Sequence, residues 1–329
     1  MDLHFENKSI LKAALAGSAY EADPQKLRQD FGVANIDIDT QSAKKAGETK
    51  ASNSGLPTVL FAPHIDFRVE KALYKKAFES LPAKKFSRVL VIGTSHYAGY
   101  FPDTYENSPF IGSSKDFESL LGTLKSAQDW VEKLAANSCT DNLGLSFQDR
   151  AYQPEHSVEF HLILTQLYLG NDLDYFPILV NGLDDLMYTD LSEQAIQLEI
   201  IAKTLNKLIF EYPNPEEILI LVSGDLAHIG PRFGDEEDAK IYFEGVSVYD
   251  TKFLKCIADL DYNGLLKLMR SNNDAFNHCG FPPALLALKM LQNTIWEDGL
   301  VLGREQWYED DDQSLVSYGA VLLTNKQTN

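Results

Sequence analysis

Cysteine is scarce: the 329-residue chain holds three, Cys139, Cys256 and Cys279. So sparse and odd a set makes no disulfide framework, and a reducing, cytoplasmic setting is the expectation. Basic residues are few as well, with 29 Lys plus Arg against 48 Asp plus Glu and a formal charge of −19. That excess repels phosphate backbones and anionic headgroups, so neither nucleic acid nor a membrane surface is the expected partner. The acidic runs at 235–238 and 309–312 read as solvated loops that aid solubility. Also lacking is any run of the roughly 18 to 20 apolar residues that a membrane helix needs. The opening MDLHFENKSILKAALAG carries acids before a short amphipathic stretch, where a secretion signal needs a basic region and then a long apolar one.

What the chain does have is 44% hydrophobic and 11% aromatic residues, near the average of globular proteins, on a length that one large α/β domain can use. Residues 1–56 read as a helix around Ile10–Tyr20 followed by a mobile linker rich in Lys, Ser, Thr, Asn and Gly over Gln41–Gly55. Residues 57–329 read as the α/β domain, because apolar runs of strand length alternate with amphipathic runs of helix length. Strands are expected at Thr58–Ala62, Arg88–Ile92, Tyr175–Val180, Ile218–Val222, Leu300–Gly303 and Val316–Leu323. Helices are expected at Val69–Leu81, Phe117–Ala136, His156–Leu169, Leu191–Tyr212, Asp238–Ala258, Tyr262–Arg270 and Pro282–Gln292.

Five of the seven histidines follow strands or open helices: His64 in FAPHID, His96 in IGTSHY, His156 and His161 in PEHSVEFH, and His228 in SGDLAHIG. Open α/β sheets collect ligands at the carboxyl ends of their strands, so these segments are expected to meet in one crevice. Imidazole suits Zn, Cu and Fe, and His64 with His96 could supply a first pair of ligands, although either alone reads more readily as a hydrogen-bonding loop residue. Cys279, in NHCGFPP, stands before a helix opened by two prolines, where the helix dipole would favour a thiolate, the ligand form of cysteine. In isolation it reads more readily as a small buried apolar residue, and His278 as a bystander. Asp225, three residues before His228, could orient that imidazole for proton transfer or cap a helix. Helical spacing pairs His156 with Glu159 and turns His161 to another face, and the segment is not HExxH, which weakens a zinc-peptidase reading.

Taken in order, APH, GTSH, EHSVEFH, SGDLAHIG, CGFPP and LVSYGAVLL resemble the Memo family, also called AmmeMemoRadiSam system protein B, across about residues 57–325. The resemblance implies a single α/β domain with a mixed β-sheet flanked by helices, similar to class III extradiol (LigB-type) non-haem iron dioxygenases, with cysteine in place of their carboxylate ligand. It implies His64, His96 and Cys279 as metal ligands, Asp225 and His228 lining the same pocket in a catalytic role, and His156 and Glu159 supporting it from the helix. Iron or copper is the implied ion. The chain departs from the family at PHIDF, where Asp66 and Phe67 replace a glycine and an aromatic hydroxyl, and at Thr94, where proline is common.

Two classes of function follow. One is an oxidoreductase, dioxygenase-like, acting on an unknown small-molecule substrate with His228 as acid/base. The other is a metal-handling or protein-interaction module with a protein partner at the same pocket. A hydrolytic zinc enzyme is a weaker third, since zinc accepts the same donors.

Overall fold

Four apolar runs, TVLFA, RVLVIGT, DYFPILV and ILILVS, are buried along almost their whole length, as strands covered by helices on both faces require. The computed structural model describes residues 10–33, 55–138, 141–292, 294 and 298–324. Its strands, in chain order, are β1 (Leu11–Lys12), β2 (Thr58–Ala62), β3 (Arg88–Thr94), β4 (Phe110–Gly112), β5 (Phe117–Ser119), β6 (Gly122–Ser126), β7 (Leu145–Ser146), β8 (Asp174–Val180), β9 (Ile218–Ser223), β10 (His228–Ile229), β11 (Asp298–Glu309) and β12 (Ser314–Thr324). Its α-helices are α1 (Pro24–Asp30), α2 (Ala72–Glu79), α3 (Pro102–Tyr105), α4 (Gln128–Ser138), α5 (His156–Tyr168), α6 (Glu193–Phe210), α7 (Phe243–Ala258), α8 (Tyr262–Asn272) and α9 (Phe281–Leu291).

The strands make one mixed sheet in the order β1-β5-β6-β8-β3-β9-β2-β12-β10, with β11 antiparallel on β12. Its centre, β8-β3-β9-β2, is parallel. Alternation along each strand sends Val89 and Val91 to one face, under α2 and α5, and Leu90 and Ile92 to the other, under α6 and α9. The six expected strands and six of the eight expected helices are present, most with shifted ends. No helix of the described residues is long and apolar enough to cross a membrane.

Two expected helices are corrected. Ile10–Tyr20 is not a helix: Leu11 pairs in parallel with Phe117, and the amides of Ala14 and Leu15 donate to the buried Glu159 carboxylate at 2.8 and 2.9 Å. A partner distant in sequence has taken the hydrogen bonds that a helix would have used. Phe117–Ala136 divides into the antiparallel β5–β6 pair and α4. It turns at Gly122, whose φ of +121° is open to glycine and strained for other residues. Residues 10–33 are thus packed into the domain, with Leu11, Tyr20, Leu27 and Phe31 in its core. The expected linker falls almost wholly in 34–54, outside the described residues, as does Cys139.

Candidate metal centre

Register brings the site together before any side chain is considered. Ser223 of β9 lies opposite both Ala62 of β2 and Gly93 of β3, so the three strands end level. The segments that follow them carry His64, His96 and Asp225. The loop before α9 reaches the same place, because Gly224 and Gly280 lie back to back: a Cβ on Gly224 would stand 2.3 Å from Gly280 Cα, and one on Gly280 would stand 2.6 Å from the Asp225 carbonyl. The Gly280 amide donates to that carbonyl at 2.8 Å and Thr94 Oγ1 donates to the Cys279 carbonyl at 2.6 Å, pinning Cys279 against the strand ends.

The hydrogen bonds fix which ring nitrogens are free. Ser223 spends its only proton on the Ser157 carbonyl at 2.6 Å, so its oxygen accepts from His64 Nδ1, 3.2 Å away. The lone pair of His64 therefore sits on Nε2, which faces Cys279 Sγ at 3.2 Å. His96 Nδ1 lies 2.8 Å from Glu155 Oε1 and the His96 amide 2.8 Å from Oε2. A carboxylate only accepts, so His96 also keeps its lone pair on Nε2, in the carboxylate–histidine arrangement usual behind metal ligands. His156 stacks on His96 with ring centroids 4.5 Å apart, and both rings lie 5.0 Å from His64. Donor atoms of His64, His96 and His156 fall within 4.8 Å of one another, as do those of His64, Asp225 and Cys279, so His64 is shared by two overlapping donor sets.

Burial disfavours the charged forms of His64, His156, Asp225 and Cys279. Desolvation, then repulsion from His96 and other neighbouring imidazoles, holds His64 well below the ordinary histidine range. The same causes bring His156 and His228 down to about 4. Burial would raise Glu155, but the hydrogen bond and charge of His96 hold it below the ordinary carboxylate value. Asp225 is pushed up to about 7 by desolvation, despite accepting from the His64 and Ile65 amides.

Five readings of the sequence change. Asp225 caps no helix, since β10 follows it; its carboxylate holds the turn after β2 and lies 3.9 Å from His64 Nε2. It does not orient His228, whose Nδ1 is instead within 3.1 and 3.3 Å of the Leu226 and Asn277 carbonyls. Glu159 is directed to Ala14, Leu15 and Tyr20 and does not pair with His156. Cys279 is not activated by the helix it precedes, because desolvation and the Asp225 carboxylate push its thiol well above the ordinary value. His278 is more than a bystander: its nitrogens face Asp274 at 3.0 Å and Asp250 at 3.1 Å. The residue that the sequence reading missed is Glu155, legible only as a carboxylate at the helix start after Pro154. His161 lies on a different face of α5, as expected, with Nε2 3.0 Å from the Pro63 carbonyl.

The Cys279 correction makes a prediction. Without metal, Cys279 is expected to alkylate at least about tenfold more slowly than free cysteine at pH 7, since each unit of raised pKa removes a factor of about ten in thiolate. Site-mapped mass spectrometry of chelator-treated protein measures this, and labelling as fast as free cysteine contradicts it.

The model of the Memo-like protein family matches residues 12–322. A MEMO1 family protein of Aquifex aeolicus is 26% identical over 97% of this chain and 75% of its own length. Another of Saccharolobus solfataricus is 24% identical over 84% and 85%, and one of Schizosaccharomyces pombe 25% identical over 88% and 84%. Among solved structures, an uncharacterized protein from Escherichia coli K12 aligns over 82% of this chain and all of its own, at 14% identity and a TM-score of 0.40.

Proposed function

Because the chain belongs to the Memo-like protein family, and its strand ends gather imidazoles and a thiol, we propose that it holds one transition metal ion on His64, His96 and Cys279, with iron or copper as the resident metal and redox or oxygen chemistry as its use. The observation that carries this reading is the pair of Nε2 lone pairs. His64 and His96 are each held through Nδ1 by Ser223 and Glu155, which leaves the Nε2 of His64 facing Cys279 and the Nε2 of His96 free, with His96 in a donor group with His64 and His156. Imidazole and thiolate donors suit iron, copper and zinc; zinc is the weaker assignment because it performs no redox step. A bound iron or copper ion would supply one-electron chemistry and a site for oxygen. Glu155 orients His96, Asp225 holds the turn that presents His64, and His228 keeps an unprotonated Nε2 for proton transfer.

A second reading, metal handling without catalysis, is favoured by one observation: His228 at about 4 is far from the neutral-pH value at which a general base works best. Elemental analysis of protein purified without added metal, together with oxygen consumption, separates the two. The catalytic reading expects oxygen uptake that falls by about 10²–10⁴ in His228→Ala while metal content holds. Stoichiometric metal with no uptake in either protein selects the handling reading, and loss of metal in His228→Ala makes that residue a ligand.

A further inference from the structure

The residue before Cys279 is held by charges that the metal reading does not use. His278 is buried, with Nδ1 3.0 Å from Asp274 Oδ1 and Nε2 3.1 Å from Asp250 Oδ1. Its ring stacks on Phe253 of α7 with centroids 5.3 Å apart, and its amide donates to both Asp274 oxygens at 3.0 and 3.2 Å. Asp250, also on α7, is wholly buried, and Arg304 of β11 donates to its Oδ2 from Nε at 3.0 Å and Nη2 at 2.8 Å. That fork occupies Oδ2 and leaves Oδ1 for the imidazole. The chain of contacts from Arg304 through Asp250 and His278 to Asp274 thus ties a strand and a helix to the loop that carries the sulfur.

Buried charges are a costly way to stabilise a fold, since apolar side chains of similar volume often do as well or better. The loop gives them another use. Asn273, Asp274 and Asn277 have φ of +55°, +48° and +49°, in the left-handed region that few non-glycine residues enter and that persists where the surrounding structure holds it. After Cys279 the contact of Gly280 with Gly224 fixes the chain; before it, the clamped ring of His278 does. We infer that Asp250 and Asp274, the first supported by Arg304, are positioning residues that act through His278 to keep the Cys279 sulfur in the coordination shell of the ion. The inference rests on the metal reading above and adds the residues that determine whether sulfur is a ligand. With the clamp cut, the loop relaxes out of its left-handed turns, and the two imidazoles keep an ion that has lost its sulfur neighbour.

The test is Co(II) titration of the full chain, followed in the near-ultraviolet charge-transfer band of a thiolate on Co(II) and in the visible bands that imidazole ligands alone also give. Asp250→Asn keeps the size of the side chain and removes its charge. It is expected to lose most of the charge-transfer band, to keep the visible bands and to bind Co(II) about 10–100-fold more weakly. Asp274→Asn, at a carboxylate partly open to solvent, should do the same and asks less of the fold. Arg88→Leu is the structural comparison: it breaks the ion pairs of a buried arginine at the opposite end of β3, and should lower the melting temperature while leaving both sets of bands unchanged. A charge-transfer band of wild-type intensity in either folded Asp variant, or an equal loss of it in Arg88→Leu, makes the clamp a general contribution to stability and overturns the inference while leaving the metal reading intact. Wild-type protein that shows no charge-transfer band overturns the ligation by Cys279, and this inference with it.

Discussion

Replacing both His64 and His96 by alanine is expected to reduce bound transition metal from about one equivalent to below about a tenth. The two imidazoles are the donors whose lone pairs the hydrogen bonds leave free, and a thiolate with one remaining imidazole cannot hold an ion against dialysis as a multidentate site does. A graded series strengthens the test. Glu155→Gln keeps the size of the group behind His96 but removes its charge, and should weaken metal affinity by about 10–100-fold. His161→Gln, on another face of α5, should leave affinity unchanged. Circular dichroism on each variant establishes that the fold has survived. A folded double variant that still carries one equivalent of metal contradicts the assignment.

The second large effect is expected at Gly224. A methyl group there would stand 2.3 Å from Gly280 Cα, a backbone atom that cannot rotate aside. Either the loop before α9 moves or the strand end does, and both move Cys279 relative to His64. Gly224→Ala should cost on the order of 3 kcal/mol and lower the melting temperature by about 5 °C or more, with metal affinity falling because the donors separate. Gly99→Ala is the control: nothing lies within 4 Å of its added Cβ, and it should change neither quantity. Calorimetry with metal titration on the two variants decides this. A Gly224→Ala protein with wild-type stability and affinity would show that the close approach of the two loops does not build the site.

How much of this was legible in the sequence depends on the range of the interaction. The central strands were, because β2, β3, β8 and β9 are apolar on both faces and their neighbours are helices of ordinary length. The meeting of FAPHID, GTSH and SGDLAH was legible too, since parallel strands in one sheet deliver their carboxyl ends to one edge. The segment at Ile10–Tyr20 was not. Its helical pattern is real, but Glu159, more than 140 positions later, takes its amides, and no local signal announces that partner. The role of Asp225 was misplaced for the same reason. Asp225 looked paired with His228 by proximity in sequence, yet β10 turns His228 toward two carbonyls while Asp225 reaches across the sheet to the turn at His64. The pKa of Cys279 was misjudged because a helix dipole can be read from NHCGFPP, whereas burial beside Asp225 belongs to the tertiary structure. The contact between the glycines of SGDLAH and CGFPP exists only once the loops are placed.

The claim on which all of this depends is that one ion sits on two imidazoles and the Cys279 sulfur, and X-ray absorption at the edge of the bound metal tests it most directly. The account predicts one sulfur neighbour at about 2.3 Å and two imidazole nitrogens at about 2.0–2.1 Å, distances usual for zinc and close to those of its neighbours in the series, with the sulfur contribution lost in Cys279→Ser. A shell of nitrogen and oxygen alone, unchanged in Cys279→Ser, would contradict it and place the metal on His64, His96 and His156 instead.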